Sequence, residues 1–500
     1  MGRFDVMAAA QAPPARALPG GERERLHLQL MWAGGVVVAA LLIVLKVNAS
    51  ASNGLVFNEM LTRLLHGRFD IAPSVIGEEG IAYHGRTYAY FGIFCALLRL
   101  PLLAIGLIAL DVTKVSIIAA AAVSLGARLL ALDLALRRAR GVSPRLRLIL
   151  LAAVAFGGES LQYLRPSIFQ EVCCWGDALA AVFGLLAVRR IVGGDGRTLR
   201  LYAGMAAIAG LGLLCRVSCG LGLYAALGLM LCVEAWRGRA RLLALRPLAP
   251  ALLILALFAG AACGVNYARW QSPLTFVPLR YQLMSSRFEP DRVERLDRYG
   301  EINPVRIPLA LQYYFAPAWM LQDGKGQLLF QKTQLRLFDC VELPPSSFFL
   351  SDPVVCVLAG LGLWSLARRR VKVPEPMLAA GAALGLAAPA AVMLLAISLT
   401  FRYRMDFYPL LDFAACLGAA GLSLDPLRQP IRKSLYAAAG GAVVSVVTLT
   451  LYCYAPFGSA LDQDLSRGWL GPIIDQAHGR DPFVGRMQPD GHRILVPHGG

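Results

Sequence analysis

Three short stretches of this sequence concentrate side chains able to move protons or hold anions. The run from Phe57 to Gly92 carries Glu59, Asp70, Glu78 and Glu79 among several tyrosines, and "FGGESLQYLRPSIFQEVCCWGD" (156–177) carries Glu159, Glu171, Asp177 and Arg165. The third, "RYRMDFYP" (402–409), sets Arg402 and Arg404 beside Asp406 and two tyrosines. A carboxylate near a lipid surface has its pKa raised by desolvation, which suits it to take a proton from a hydroxyl. A guanidinium grips phosphate oxygens in fork geometry, so Arg402 and Arg404, with Arg216 and Arg165 behind them, are candidate phosphate ligands.

Each candidate has a plainer alternative. Glu59 and Arg63 are spaced i,i+4 on a segment, Val56 to Leu65, whose apolar positions Phe57, Met60, Leu61, Leu64 and Leu65 fall on one side. That segment is expected to lie flat on lipid, and the pair could simply solubilise its polar face. Asp177 and Glu159 could be hydrogen-bonded to a neighbouring helix. Asp406 could form an ion pair with Arg402 or Arg404. His66 and His84 read as solvated loop histidines.

The elements that position these groups follow from composition. The 500 residues are 57% hydrophobic and only 16% charged, with a mean hydropathy of +0.56. Continuous apolar runs of about 17–25 residues recur, the length that crosses a bilayer as helix, and they lack the ten-residue alternation of barrel strands. The expected fold is an all-α polytopic membrane protein with about eleven transmembrane helices and juxtamembrane helices on its outer face.

Net charge is +17, but the basic residues sit in short turns between apolar runs: 137–147, 189–200, 237–246, 368–372 and 428–433, with Arg3, Arg16, Arg23 and Arg25 in the N-terminal tail. Short basic loops remain cytoplasmic, so this charge reports topology rather than a nucleic-acid partner. The resulting path has a cytoplasmic tail (1–29), a membrane domain (30–456) and an outer tail (457–500). The first outer loop spans 48–114 and a long one spans 269–350. Spans are expected at 30–47, 115–136, 146–164, 172–190, 199–215, 219–235, 248–268, 351–367, 377–400, 407–424 and 435–456. Arg99 and Pro101 interrupt the apolar segment 91–110, which is read as a hairpin on the outer face because a full crossing would invert the charge rule. Asp133 and Arg137 are expected to pair near a cytoplasmic helix end, and "LQYYFAPAWM" (311–320) suits a helix in the headgroup layer. The first apolar segment follows a polar leader too long for a cleaved signal, so it reads as a retained span.

Several chemistries find no support. The eleven cysteines lie mostly in apolar runs, and Cys173-Cys174 is not a zinc spacing. The lone DxD in "LDQDL" (461–465) has no strand–helix context to make it a nucleotide-sugar site. No internal repeat of the transporter kind is visible.

Taken in order, the acid shortly after the first span, "HGRFDI…GRTYAYFGIFCALLRLPLL", "IFQEVCCWGDALA", "NYARWQSPL" (266–274) and "RYRMDFYPLL" resemble bacterial GT-C-type membrane glycosyltransferases. The resemblance is to the broad group of protein mannosyltransferase-like and lipid A sugar-transferase-like enzymes, over roughly residues 26–456. It implies an inverting sugar transfer at the extracytoplasmic face of the inner (plasma) membrane. The donor would be a polyprenyl-phosphate-linked sugar and the acceptor a glycan, lipid or protein. By position Glu59 matches the catalytic acid, although Asn58 stands before it where the group often has an acidic pair. Glu171 and Asp177 fall where a second acid assists or holds a divalent metal ion, and Arg402 and Arg404 where donor phosphate is held. Asp70, Glu78 and Glu79 are reserve acids. The competing reading is a polytopic transporter or flippase, with Arg128, Glu159 and Asp177 lining a pathway.

Overall fold

The structure, a computed structural model, describes residues 21–45, 53–139, 142–164, 166–194, 199–238, 248–283, 286, 290–316, 331–341, 346–368, 375–422, 429–454, 483–487 and 493–497. Arg165, residues 317–320 of the aromatic run, the 461–465 acids and the basic turn at 239–247 lie outside these residues. The chain is an all-α polytopic membrane protein.

Among the described residues, six helices are long and apolar enough to cross a membrane: Glu24–Val44, Thr113–Arg138, Ile168–Gly193, Val217–Arg237, Ala249–Trp270 and Pro376–Leu395. The expected spans at 199–215, 351–367 and 407–424 are the shorter apolar helices Leu199–Cys215, Pro353–Arg368 and Tyr408–Ala420. The expected span 146–164 is a 12-residue helix, Pro144–Ala155, running into a 3-10 segment, Gly158–Leu164. A last helix covers Gln429–Tyr454. Val37, Leu41 and Val44 on the first helix, and Leu252, Leu253 and Leu257 on another, are all more than half exposed or close to it. Such apolar rows suit contact with lipid.

Thr113–Arg138 packs along Ile168–Val188, Val217–Gly238 along Pro376–Leu395, and Pro353–Arg368 along Tyr408–Ala420. The last contact is very close. A Cβ on Gly362 would stand 2.0 Å from the Ala414 carbonyl, and one on Gly418 would stand 2.0 Å from that of Leu358. Small residues on both sides let the backbones meet, as membrane helices use in place of a hydrophobic driving force.

Ion pairs mark the two ends of the bundle. At the basic-turn end Arg137 and Arg147 both bind Asp133 and Glu24, so the expected Asp133–Arg137 pair forms. Arg190, Tyr202 and Arg237 there surround Glu234 and Glu375. The opposite end receives the first loop and the long loop.

The first loop is folded. Segment 91–110 breaks at Arg99 into Phe94–Leu97 and Leu100–Ala104, because Arg99 turns inward and Pro101 starts the second helix. A β-hairpin pairs Ile81–Tyr83 with Arg86–Tyr88 around His84 and Gly85, both at positive φ (46° and 73°), the geometry of a two-residue type I′ turn. The Val56–Leu65 helix departs from expectation. Phe57, Met60 and Leu61 are buried against Ile71, Phe91 and Phe94 rather than spread on lipid, and Leu65 is left exposed. Once hairpin and broken helix supply an apolar partner, protein packing wins over the interface.

The long loop is clasped to this end. Arg306, fully buried, donates to the carbonyls of Gly300, Glu301, Leu337 and Leu395. Ile81 bridges to Gln282, and Cys340–Val341 runs parallel to Ser398–Leu399.

Candidate functional site

Glu171 occupies the first turn of the Ile168–Val188 helix, whose Ser167 cap accepts from the Gln170 amide. Its side chain is fully buried, and Arg99 donates to both carboxylate oxygens at 2.7 and 2.8 Å. Arg99 Nε reaches Asn58 Oδ1 at 3.3 Å, and Asn58 Nδ2 donates to the carbonyls of Ile108 and Leu110. One charged pair thus ties first-loop helix, broken helix and bundle together.

Asp177, six residues on and about 9 Å deeper along the helix, belongs to a different network. It accepts from Arg128 at 2.6 Å and from Ser124 at 2.7 Å. Arg128 also binds Glu159, which in turn accepts from Ser124 and Tyr163. Asp412 stands 2.8 Å from Arg128 Nε, and the Tyr408 ring lies 4.6 Å from the guanidinium carbon. The expected bond from Asp177 to a neighbouring helix is therefore present.

Glu59 lies on the polar side of its helix. Its Oε1 accepts from Arg63 Nε at 2.6 Å and from the Ala72 amide at 2.9 Å, while its Oε2 is buried with no hydrogen-bond partner among the described residues. Arg63 also reaches Asp70 at 3.0 Å, and Arg68 binds both Asp70 oxygens. The hydrogen bond from Arg68 holds the Asp70 carboxyl below its ordinary value against the opposing effect of burial.

Glu79 is half-buried and accepts from Tyr90 Oη at 3.2 Å and Gln282 Nε2 at 2.9 Å, joining first loop to long loop. Burial, followed by the charge of Glu79, pushes the Tyr90 phenol well above its usual value. Arg402 and Tyr403 lie within electrostatic reach of the same phenol. Glu78 is exposed.

Beside them the "RYRMDFYP" turn folds as a 3-10 segment, Phe401–Asp406. The guanidinium groups of Arg216 and Arg402 lie 4.9 and 5.5 Å from the centre of the Tyr403 ring, and that of Arg402 also lies 5.0 Å from the centre of the Phe169 ring. Arg216 binds Asp406 through two nitrogens at 3.1 and 2.6 Å, and Ser218 donates to the same carboxylate at 2.7 Å. The partner of Asp406 is thus Arg216, from the tight turn between two helices, rather than Arg402 or Arg404. Arg404 points the other way: fully buried, it binds Asp352 and Ser351 and stacks on Phe348.

Of the residues singled out in the sequence, Arg402 and Arg216 come together, with Glu79 linked to them through Tyr90. Glu59 and Asp70 form a second group, while Glu171, Asp177 and Arg404 each sit in a separate buried network. Glu171 and Asp177 do not fit a shared divalent metal, since Arg99 takes both oxygens of the first and Arg128 with Ser124 those of the second. Tyr90, Tyr403, Asp352 and Asp412 were not separable from packing residues by sequence. Arg99 could have been, because a charge inside an apolar run needs a partner.

No family model and no curated protein sequence matches this chain. Among solved structures it is similar to the Archaeoglobus fulgidus oligosaccharyltransferase in its apo form, at 14% identity and a TM-score of 0.48 over 92% of this chain. It is likewise similar to oligosaccharyltransferase AglB from Archaeoglobus fulgidus in complex with an inhibitory peptide and a dolichol-phosphate, at 13% identity and a TM-score of 0.49 over 91% of this chain. In both comparisons the match spans 60% of the archaeal chain.

Proposed function

We propose that this protein is a GT-C-type glycosyltransferase that moves a sugar from a polyprenyl-phosphate donor to a hydroxyl acceptor, with inversion, at the extracytoplasmic face of the inner membrane. The observation that carries the reading is the Arg402–Tyr403–Arg216 array. It stands at the bundle end away from the basic turns, beside loops that bring Glu79 and Glu59 to that end. The sequence resemblance supports the same assignment.

In this scheme Glu59, with one carboxylate oxygen uncommitted, takes the proton of the acceptor hydroxyl. The acceptor oxygen bonds to the anomeric carbon as the carbon–oxygen bond to phosphate breaks. The electron pair leaves with the polyprenyl phosphate, whose charge Arg402 offsets, while Arg216, paired with Asp406, stays against the Tyr403 ring beside it. The first loop (48–114) and the long loop (269–350) belong to this reaction chamber.

The test is transfer of radiolabelled sugar from a polyprenyl-phosphate donor by the purified protein in liposomes, with envelope glycan, lipid and peptide fractions as acceptors. Glu59→Gln is expected to lose at least about 100-fold in transfer while remaining folded, the usual scale for a general base. Undiminished transfer would remove Glu59 from the chemistry. The buried charges around Arg128 favour a second reading, a transporter or flippase. Donor crossing between leaflets with no transfer to any acceptor would decide for it.

A further inference from the structure

Among the described residues the buried arginines are matched, with one exception. Arg99 faces Glu171, Arg190 faces Glu234, Arg404 faces Asp352, and Arg128 faces Glu159 and Asp177. Arg306 instead donates to four carbonyls. Arg269 has neither kind of company. It is buried, and its one partner among the described residues is the Phe91 carbonyl, which accepts from Nη1 at 2.9 Å. Its Nε is buried with no partner, and so is the indole N–H of the next residue, Trp270.

Arg269 lies in the last turn of the Ala249–Trp270 helix, where the helix dipole favours a cation. That attraction is small beside the cost of taking a guanidinium out of water and leaving it unpaired. Nor does an arginine escape by losing its proton. Donors are in surplus here and acceptors are short, so the missing component is an anion.

We infer that Arg269 forms a binding site for a phosphate group, carried by a lipid or free in solution. With Nη1 taken by Phe91, the edge left over carries Nε and Nη2, two parallel N–H groups that match two oxygens of one phosphate. The depth selects phosphate among anions. The helix has 22 residues, close to one hydrocarbon core in length, so its last turn stands at the level of the lipid headgroups. The same helix exposes Leu253, Leu257 and Tyr267, which sets lipid against it. A second positive charge stands near, since Arg402 lies 5.0 Å from the centre of the Phe169 ring and that ring lies 5.6 Å from Phe91.

Phosphate binding at Arg269 is independent of sugar transfer, so it can be tested on protein that shows no activity. The full chain, delipidated in neutral detergent, is unfolded thermally in the presence of polyprenyl phosphate, phosphatidylglycerol, inorganic phosphate or, as the uncharged control, polyprenol. At least one phosphate probe should raise the wild-type midpoint saturably, and polyprenol should not. Arg269→Met should need at least about tenfold more of that probe for half the shift. Arg269→Lys, which keeps the charge but lacks the fork, should fall between the two. Without a probe, Arg269→Met should be less destabilised than Arg99→Met, because no carboxylate is stranded. A response to polyprenyl phosphate alone assigns the site to the carrier of the proposed donor; one shared with phosphatidylglycerol assigns it to lipid headgroups, and one to inorganic phosphate alone to the free anion. The assignment is overturned if no phosphate probe stabilises wild type, or if polyprenol does so as strongly as polyprenyl phosphate. It is equally overturned if Arg269→Met answers the probe as wild type does, or loses as much stability as Arg99→Met without it. Where Arg269→Met does not fold, a wild-type response from Arg269→Lys overturns it.

Discussion

Arg99 gives the most searching test of how the site is built. Replacing it with Met keeps most of the volume but leaves Glu171, which has no solvent exposure, without either of its charged donors. Breaking one partner of a buried pair costs about 3–5 kcal/mol. Loss of the bond to Asn58 Oδ1 adds about 1 kcal/mol. The double variant Arg99→Met/Glu171→Met removes both charges. Because an apolar replacement of a buried pair is close to neutral, only the Asn58 term of about 1 kcal/mol should remain. Reversible unfolding in mixed micelles measures all three proteins and gives the coupling between the two sites. The reasoning fails if Arg99→Met costs under about 1 kcal/mol, or if the double variant is as damaged as the two singles summed. It also fails if Glu171→Gln abolishes sugar transfer with an unchanged unfolding midpoint, since Glu171 would then act on substrate rather than on architecture.

Arg402→Ala should raise the KM for a polyprenyl-phosphate donor about tenfold or more with little effect on folding. Arg216→Ala should instead destabilise, because it strands buried Asp406; equal stability of the two variants would contradict the pairing. Gly362→Ala should lower stability by about 1–3 kcal/mol by forcing the Pro353–Arg368 and Tyr408–Ala420 helices apart, as thermal unfolding would record. The Asp70 carboxyl is held below its ordinary value by Arg68, so its contribution is present above the unfolded-state value of about 4 and is lost as pH falls through the lower folded-state value. Asp70→Asn should therefore flatten the acid limb of the stability profile, and an unaltered limb in the same scan would show that the carboxylate contributes nothing.

Hydrophobic run length was enough to place most of the helices, because lipid imposes length and internal hydrogen bonding on any spanning segment, but not to foresee that 146–164 divides into a 12-residue helix and a 3-10 segment. The break at Arg99 was legible from Pro101 two residues on, and the Glu59–Arg63 and Asp133–Arg137 pairs because the partners lie one helical turn apart. The apolar face of Val56–Leu65 was visible too, but not what covers it, since lipid and a protein core accept the same residues.

Pairings between distant segments were decided only by the tertiary structure. Arg99 and Glu171 are 72 positions apart, and Arg216 and Asp406 are 190 apart. Composition ranks Glu171, Asp177, Arg404 and Arg402 alike as charges near helix ends. Packing sends the first three into buried networks and leaves Arg402 half-buried beside Tyr403. The physical reason is that a charge in a low-dielectric interior is tolerable only with its counter-charge in contact. Which arginine meets which carboxylate depends on how the helices cross, and no local spacing in the chain encodes that.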